Sequence, residues 1–227
     1  MGNIPLVSIV NATYNQAEWV VKLLESLRNQ SYKRLEIIIV SDGSTDNTKE
    51  IVEKFRKENP EYDLLFKFIE KEHSGVQHSR NAGLEIATGK YIIFPDSDCE
   101  LYSSCIEKMV NVLETMSQIS YVYCNMQNVG AYDSVLRCGQ FDEQRLRKGN
   151  YIPVVTLMRR EGCPRWAPEI KRHQDYDVWL SWLDNGGVGY WIDEVLFKHN
   201  TRKDSLTFTS VSIAEANRSV WGRHGLL

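Results

Sequence analysis

Two aspartates one residue apart, Asp96 and Asp98, close the apolar run YIIF in YIIFPDSDCELY. Paired acids with this spacing suit a calcium loop, a solvated turn or a clamp for a metal and a phosphorylated ligand. The stretch DSDCELYSSCIE carries acids at loop positions one, three, five and twelve. A calcium-binding helix-loop-helix, however, needs glycine at position six, where Leu101 stands, and a helix before the loop, where YIIF reads as a strand. The clamp fits better. One carboxylate can take a ligand hydroxyl while the other holds a hard divalent cation with positions open for phosphate oxygens, an arrangement suited to a diphosphate leaving group. No glycine- and lysine-bearing phosphate loop and no GxGxxG accompany it, so neither ATP hydrolysis nor an NAD site is indicated.

Other polar residues fall at comparable places. Asn11, Thr13 and Tyr14 follow one apolar run, and Asp42, Gly43 and Ser44 follow another. Each alone reads as a turn or cap residue, since Asp, Ser and Gly favour turns. Their coincidence beside Asp96 and Asp98 points to one rim. Further on, QDYDVWLSWLDNG reads as an amphipathic helix, with Asp175 and Asp177 near its positive end and Trp179, Leu180 and Leu183 facing a core. Asp177 is read there as structural. Arg159, Arg160, Arg165 and Trp166 lie in RREGCPRWAPEIKRH and suit either a solvated loop or recognition of a sugar or an anion. His73, His78 and His173 match no compact metal site, and His199 is left outside the metal set.

The elements that must position these groups show a repeating grammar. LVSIVNAT is a β-branched run followed by NQAEWVVKLLESLRNQ with apolar residues at helical spacing. Asn15 with Glu18 resembles a capping box. LEIIIVSD is continuous enough to be buried on both faces, and it feeds a Gly/Ser/Asp turn into a second amphipathic helix. LLFKFIE is a third strand. SGVQHSRNAGLEIATGK gives a loop and helix with Gly89 at its C-terminal end, and YIIFP is the fourth strand. Such repetition predicts an α/β fold with an open, mostly parallel sheet between helices and ligands at the carboxyl ends of its strands. After residue 100, SSCIEKMVNVLETM reads as a helix, YVYCNM as a strand, residues 128–140 as a hairpin and GYWIDEVLFKHN as late strand structure. Residues 201–227 show no clear period.

With 227 residues and 42% hydrophobic content, one large domain with a sizeable core is expected. A net charge of −3 gives no basic field for nucleic acid. Five scattered cysteines argue against a disulfide framework, and no window approaches the roughly 20 apolar residues of a membrane span. The reading is of a cytoplasmic protein, at most peripheral at the inner face of a membrane through its aromatic and basic tail NRSVWGRHGLL.

The segments VSIVNATYNQAEWVVKLLESLRNQSYKRLEIIIVSDGSTDNT, HSRNAGLEIATGKYIIFPDSD and QDYDVWLSW, in that order, resemble glycosyltransferase family 2. The likeness extends over about residues 5–200. It implies a GT-A fold in one domain, residues 1–227, with a donor half at 5–100 and an acceptor half at 101–227. The implied activity is inverting, metal-dependent transfer of a sugar from a nucleotide-diphosphate donor, a UDP-sugar above all. The acceptor would be a hydroxyl of a sugar, a lipid-linked glycan or a protein. By the same resemblance, Thr13 and Tyr14 line the nucleotide, Asp42 meets the base and Arg80 approaches the nucleotide or its diphosphate. Asp96 faces the ribose, Asp98 holds Mn2+ or Mg2+, and Asp175 is the catalytic base. The sequence departs from the pattern at Ala12, Cys99 and Gln174; Cys99 lowers the negative charge beside the metal position. A nucleotidyltransferase, or a catalytically silent nucleotide-binding or scaffold module on the same fold, remains an alternative.

Overall fold

The computed structural model describes residues 4–201 and 211–227. The first half follows the predicted alternation: β1 (Val7–Thr13), α1 (Ala17–Arg28), β2 (Leu35–Asp42), α2 (Thr48–Glu58), a 3-10 turn (Pro60–Leu65), β3 (Phe66–Lys71), α3 (Val76–Ile86) and β4 (Tyr91–Ile93). The second half contains β5 (Cys99–Leu101), α4 (Cys105–Thr115), β6 (Tyr121–Gly130), β7 (Ser134–Leu136), α5 (Glu143–Lys148), β8 (Thr156–Arg159), α6 (Gln174–Asp184), β9 (Gly189–Thr201) and α7 (Ile213–Arg223). The strands form one sheet in the order β3-β2-β1-β4-β8-β6-β9-β5, with β7 added beside β6. It is parallel from β3 through β4, and mixed beyond.

Alternation along the strands divides the core into two layers, because successive side chains point to opposite faces. Ile37 and Ile39 of β2 join α1, α2 and α4 on one face. Ile38 and Val40 join α5, α6 and α7 on the other. All eight residues of β2 are buried, which explains its uninterrupted apolar sequence. α3 packs against β1 so closely that a Cβ on Gly83 would stand 2.2 Å from Val10 Cγ1.

Several expectations require correction. Asn15 does not cap α1. Its φ is +50°, and its Oδ1 accepts from Thr45 N at 2.7 Å and Asp46 N at 3.3 Å, while Asp46 Oδ2 accepts from Ala17 N at 3.0 Å. The two loops therefore cap each other, which residue spacing within one helix cannot reveal. Gly89 is not the end of α3, whose cap is Ala87; it lies in the turn before β4, pressed on Ser8. Part of the apparently unpatterned tail is the helix α7, opened by a capping box between Ser212 and Glu215, while residues 202–210 lie outside the described set. The hairpin at 128–140 is present as β6 and β7.

Candidate functional site

The carboxyl ends of β1, β2 and β4 meet on one rim. Asn11 is buried in β1 and donates from Nδ2 to Pro95 O (3.0 Å) and Ser97 Oγ (3.2 Å), fixing the turn that carries Asp96 and Asp98. Thr13 is buried too, and its Oγ1 finds no partner among the described residues, an orphan that a bound polar atom would satisfy. Tyr14 is exposed, and its ring lies 4.3 Å from that of His73.

Asp42 lies beneath this pair. Its Oδ1 accepts from Lys71 Nζ (2.9 Å), Ser79 Oγ (2.9 Å) and Ser74 N (3.1 Å), and its Oδ2 accepts from Gly75 N at 2.8 Å. Burial opposes the charge, but these donors prevail and hold the pKa down at about 2. The carboxylate thus shapes the loop before α3, and a base would reach it only by exchanging with one of those donors. Gly43, with φ +78°, lets the loop pass close: a Cβ there would meet His73 N at 2.9 Å.

Asp96 is paired with Arg80, whose NH2 stands 2.5 Å from Oδ1. Arg80 is 6% exposed and lies over Trp166, with its Cζ 4.1 Å from the ring centroid; Trp166 in turn packs edge-on against Phe94. Asp98 is held from behind, since Asn200 donates its N–H to Asp98 O at 2.8 Å. The antiparallel pairing of β5 with β9 sets Cys99 opposite His199 and brings His199 Nε2 to 3.6 Å from Asp98 Oδ1. Asn128 Oδ1 lies 3.1 Å from His199 Nδ1. A proton on Nδ1 would satisfy that contact and turn the Nε2 lone pair toward Asp98. Sequence spacing missed His199, because only strand pairing places it beside a residue one hundred positions away.

Asp175 sits in the first turn of α6, just after His173 at φ +60°. Desolvation raises its pKa from the ordinary aspartate value, opposed by Asn150, whose Nδ2 donates to Oδ2 at 2.9 Å, by the backbone N–H of Tyr176 and by the charges of Arg80 and His173. Arg80 therefore links the acidic turn to Asp175.

The remaining candidates have structural duties. Asp177 is fully buried and pairs with Arg223 Nε and His224 Nε2, each at 3.0 Å. Arg159 donates to Leu113 O and Ile119 O around the end of α4, and Arg160 donates to Gly89 O. Arg165 pairs with Glu85 at the surface, whereas buried Trp166 serves Arg80 and offers no open face for a sugar. In the tail, Trp221 donates to Tyr176 OH, and Arg223 and His224 face Asp177, so these three residues of the expected membrane contact are engaged within the protein, whereas Arg218 is exposed. No helix among the described residues is long and apolar enough to cross a membrane.

Among the described residues, no group of three His, Cys, Asp or Glu side chains is poised around a common metal position. The Asp98 carboxylate would suit a divalent cation that takes its other ligands from phosphate and water, and His199, 3.6 Å away, would suit one that also accepts an imidazole nitrogen.

The sequence profile described as "Glycosyl transferase family 2" matches residues 8–161. The putative teichuronic acid biosynthesis glycosyltransferase TuaG of Bacillus subtilis is 29% identical over 89% of this chain and 82% of its own length. An uncharacterized glycosyltransferase of Haemophilus influenzae is 32% identical over 80% of the chain and 73% of its own length. Among solved structures, S. aureus TarS 1-349 in complex with UDP-GlcNAc matches with a TM-score of 0.81 at 20% identity, covering 97% of this chain and 66% of that one. Mannosyltransferase PcManGT from Pyrobaculum calidifontis, in complex with GDP-Man and Mn2+, matches with a TM-score of 0.71 at 20% identity, over 90% of this chain and 59% of that one.

Proposed function

The chain belongs to glycosyl transferase family 2, and on that premise we propose that it moves a sugar, with inversion, from a UDP-sugar to an acceptor hydroxyl in polysaccharide or glycoconjugate synthesis. It is a glycosyltransferase with the GT-A fold, a mixed α/β architecture. The observation that carries the finer reading is the ion pair of Arg80 with Asp96 on the same rim as Asp98, with Asp175 within the electrostatic reach of Arg80.

In this reading Tyr14 stacks on the base, and Thr13 offers its unsatisfied hydroxyl to the nucleotide. Asp42 holds the loop around the base and exchanges one protein donor for a base N–H. Asp96 accepts from the ribose, and Arg80 turns its charge toward the diphosphate as the leaving group gains negative charge. Asp98, with His199 beside it, would hold Mn2+ or Mg2+, which when bound supplies Lewis-acid stabilisation to the diphosphate.

Asp175 takes the proton of the acceptor hydroxyl on the side of the sugar opposite the leaving group, as inversion requires. Its raised pKa makes it a stronger base than an ordinary aspartate while leaving it ionised once the pH exceeds that value. A cell-surface polysaccharide is the acceptor class in view, supported by the teichuronic acid role in the name of the Bacillus relative.

The test is thermal-shift or calorimetric titration with UDP, GDP and dTDP, each with and without Mn2+, on wild type and Asp98→Ala. Ligand at 100 times its Kd should stabilise the fold by about 2.7 kcal/mol. Mn2+-dependent stabilisation by UDP that is lost in the variant is the expected result. No response to any nucleotide would overturn the donor reading.

A further inference from the structure

Asp175 carries the only role in the proposed reaction that the donor rim does not fill, and a base needs one of its oxygens aimed. The loop between α5 and β8 is fastened to the same face of α6 at two points one helical turn apart. Asn150 Nδ2 donates to Asp175 Oδ2 at 2.9 Å, and Trp179 Nε1 donates to Ile152 O at 3.0 Å. Residues four apart on a helix share a face, so the two ties act on one edge of α6. The orientation of the Asn150 amide is itself determined: its Oδ1 accepts from Ile152 N at 3.0 Å, leaving Nδ2 as the group that meets the carboxylate.

Tyr176 adds a third fastening by donating from its hydroxyl to Leu146 O at 2.7 Å, which sets the end of α5 against α6. Asn150 is exposed, so an acceptor can approach the same edge from solvent.

We propose that Asn150 is a positioning residue for the base: its amide holds Oδ2 of Asp175 and leaves Oδ1 to receive the acceptor's proton. This rests on the reading of Asp175 as the base. An amide is a better orienter here than a cation or an acid. Lysine would form an ion pair that suppresses basicity, and a carboxylate would set a second negative charge beside the one Asp175 carries before it takes the proton. The other charged or titratable groups facing Asp175 are Arg80 from α3 and His173 from the turn before α6; both favour its ionised form.

Asn150→Asp is the informative variant. It is isosteric and keeps an oxygen for Ile152 N–H, so the loop stays fastened, while the donor to Asp175 is lost and a second carboxylate takes its place. Asn150→Ala removes both contacts. The first readout needs no substrate: carboxyl-13C NMR titration of aspartate-labelled protein, with the Asp175 signal assigned from Asp175→Asn. The Asp175 midpoint should move up in Asn150→Ala, and the acidic pair in Asn150→Asp should titrate with its upper midpoint higher still. An unchanged midpoint in both variants would overturn the proposal.

The second readout is UDP release from UDP-GlcNAc and from further UDP-sugars, with Mn2+ present. Both variants should lose about tenfold or more in kcat, at least about 1.4 kcal/mol, with donor KM unchanged and the acid limb of the pH profile moved upward. A loss in donor KM with a fixed acid limb would make Asn150 merely structural and reject the role. Full activity of Asp175→Asn would instead remove the base reading itself, an outcome distinct from inert Asn150 variants beside a dead Asp175→Asn.

Discussion

The two halves of the sheet are built by different rules. From β1 to β4 the strands are parallel, and the candidate residues Thr13, Tyr14, Asp42, Asp96 and Asp98 stand at or just after strand ends. Beyond β4, parallel and antiparallel pairings mix, and long-range polar contacts such as Asn200 with Asp98, Asn150 with Asp175 and Asp177 with His224 set the geometry. The proposed donor side is thus positioned by strand ends, whereas Asp175, the base of the proposed reaction, is held by side chains that meet only after folding. Specificity for the acceptor should accordingly reside where local sequence pattern is weakest.

The largest effect expected from breaking this division is at Asp175. Asp175→Asn should reduce turnover by roughly 10²–10⁴-fold, the range for a general base, while UDP binding on the other side of the rim stays near wild type. Parallel measurements of kcat and calorimetric Kd check it. A collapse of nucleotide binding would show that the two halves are not separable in this way.

A smaller effect is expected behind Asp175, where α7 is joined to α6. Asp177→Ala leaves buried His224 facing the gap, and loss of one partner from a buried pair costs about 3 kcal/mol. Denaturant melts should show it, with hydrogen exchange rising first in α7. The junction also has a pH dependence. Burial lowers the His224 pKa, but hydrogen bonds to Asp177 and Asp184 outweigh it and leave the pKa raised above the ordinary histidine value of 6.5. Protonated His224 therefore stabilises the fold. That contribution is complete below the unfolded-state pKa and disappears as the pH rises through the higher folded value. Melts of wild type and His224→Gln should differ most at acidic pH and converge above that range.

The smallest change tests the donor side alone. Asn15→Ala removes the acceptor for two loop N–H groups and should cost about 1 kcal/mol, the usual worth of a lost cap. Because it caps the loop before α2, Asp46→Ala should share much of its effect, and a double-mutant cycle on chemical melts measures that coupling.

Much of the donor half was legible because its physics is local. Continuous apolar runs such as LEIIIVSD announce parallel strands buried on both faces, and turn residues after them announce a rim. The EF-hand reading fell on two local features, Leu101 where the loop needs glycine and the strand YIIF where it needs a helix. Legibility fails where a contact spans the chain. The 3-10 turn, β5 and β8 are too short to show a period, and α5 is a six-residue helix. α7 was obscured by an apparently patternless tail whose Trp221, Arg223 and His224 resemble surface anchors but face α6.

The sequence by itself determined the alternating α/β frame and the rim residues Thr13, Tyr14, Asp42, Asp96 and Asp98, since each rests on neighbours a few positions apart, and the family, since three such local segments follow in order along the chain. Only the tertiary structure decided that Arg80 is spent on Asp96 over Trp166, that the Asp42 carboxylate is occupied by donors from β3, the loop before α3 and α3 itself, and that His199 stands beside Asp98. It likewise decided that Asn150 holds Asp175. Hydrogen bonds and ion pairs are short-ranged and directional, so their partners follow from where strand pairing and helix docking bring the backbone, and no residue spacing records that.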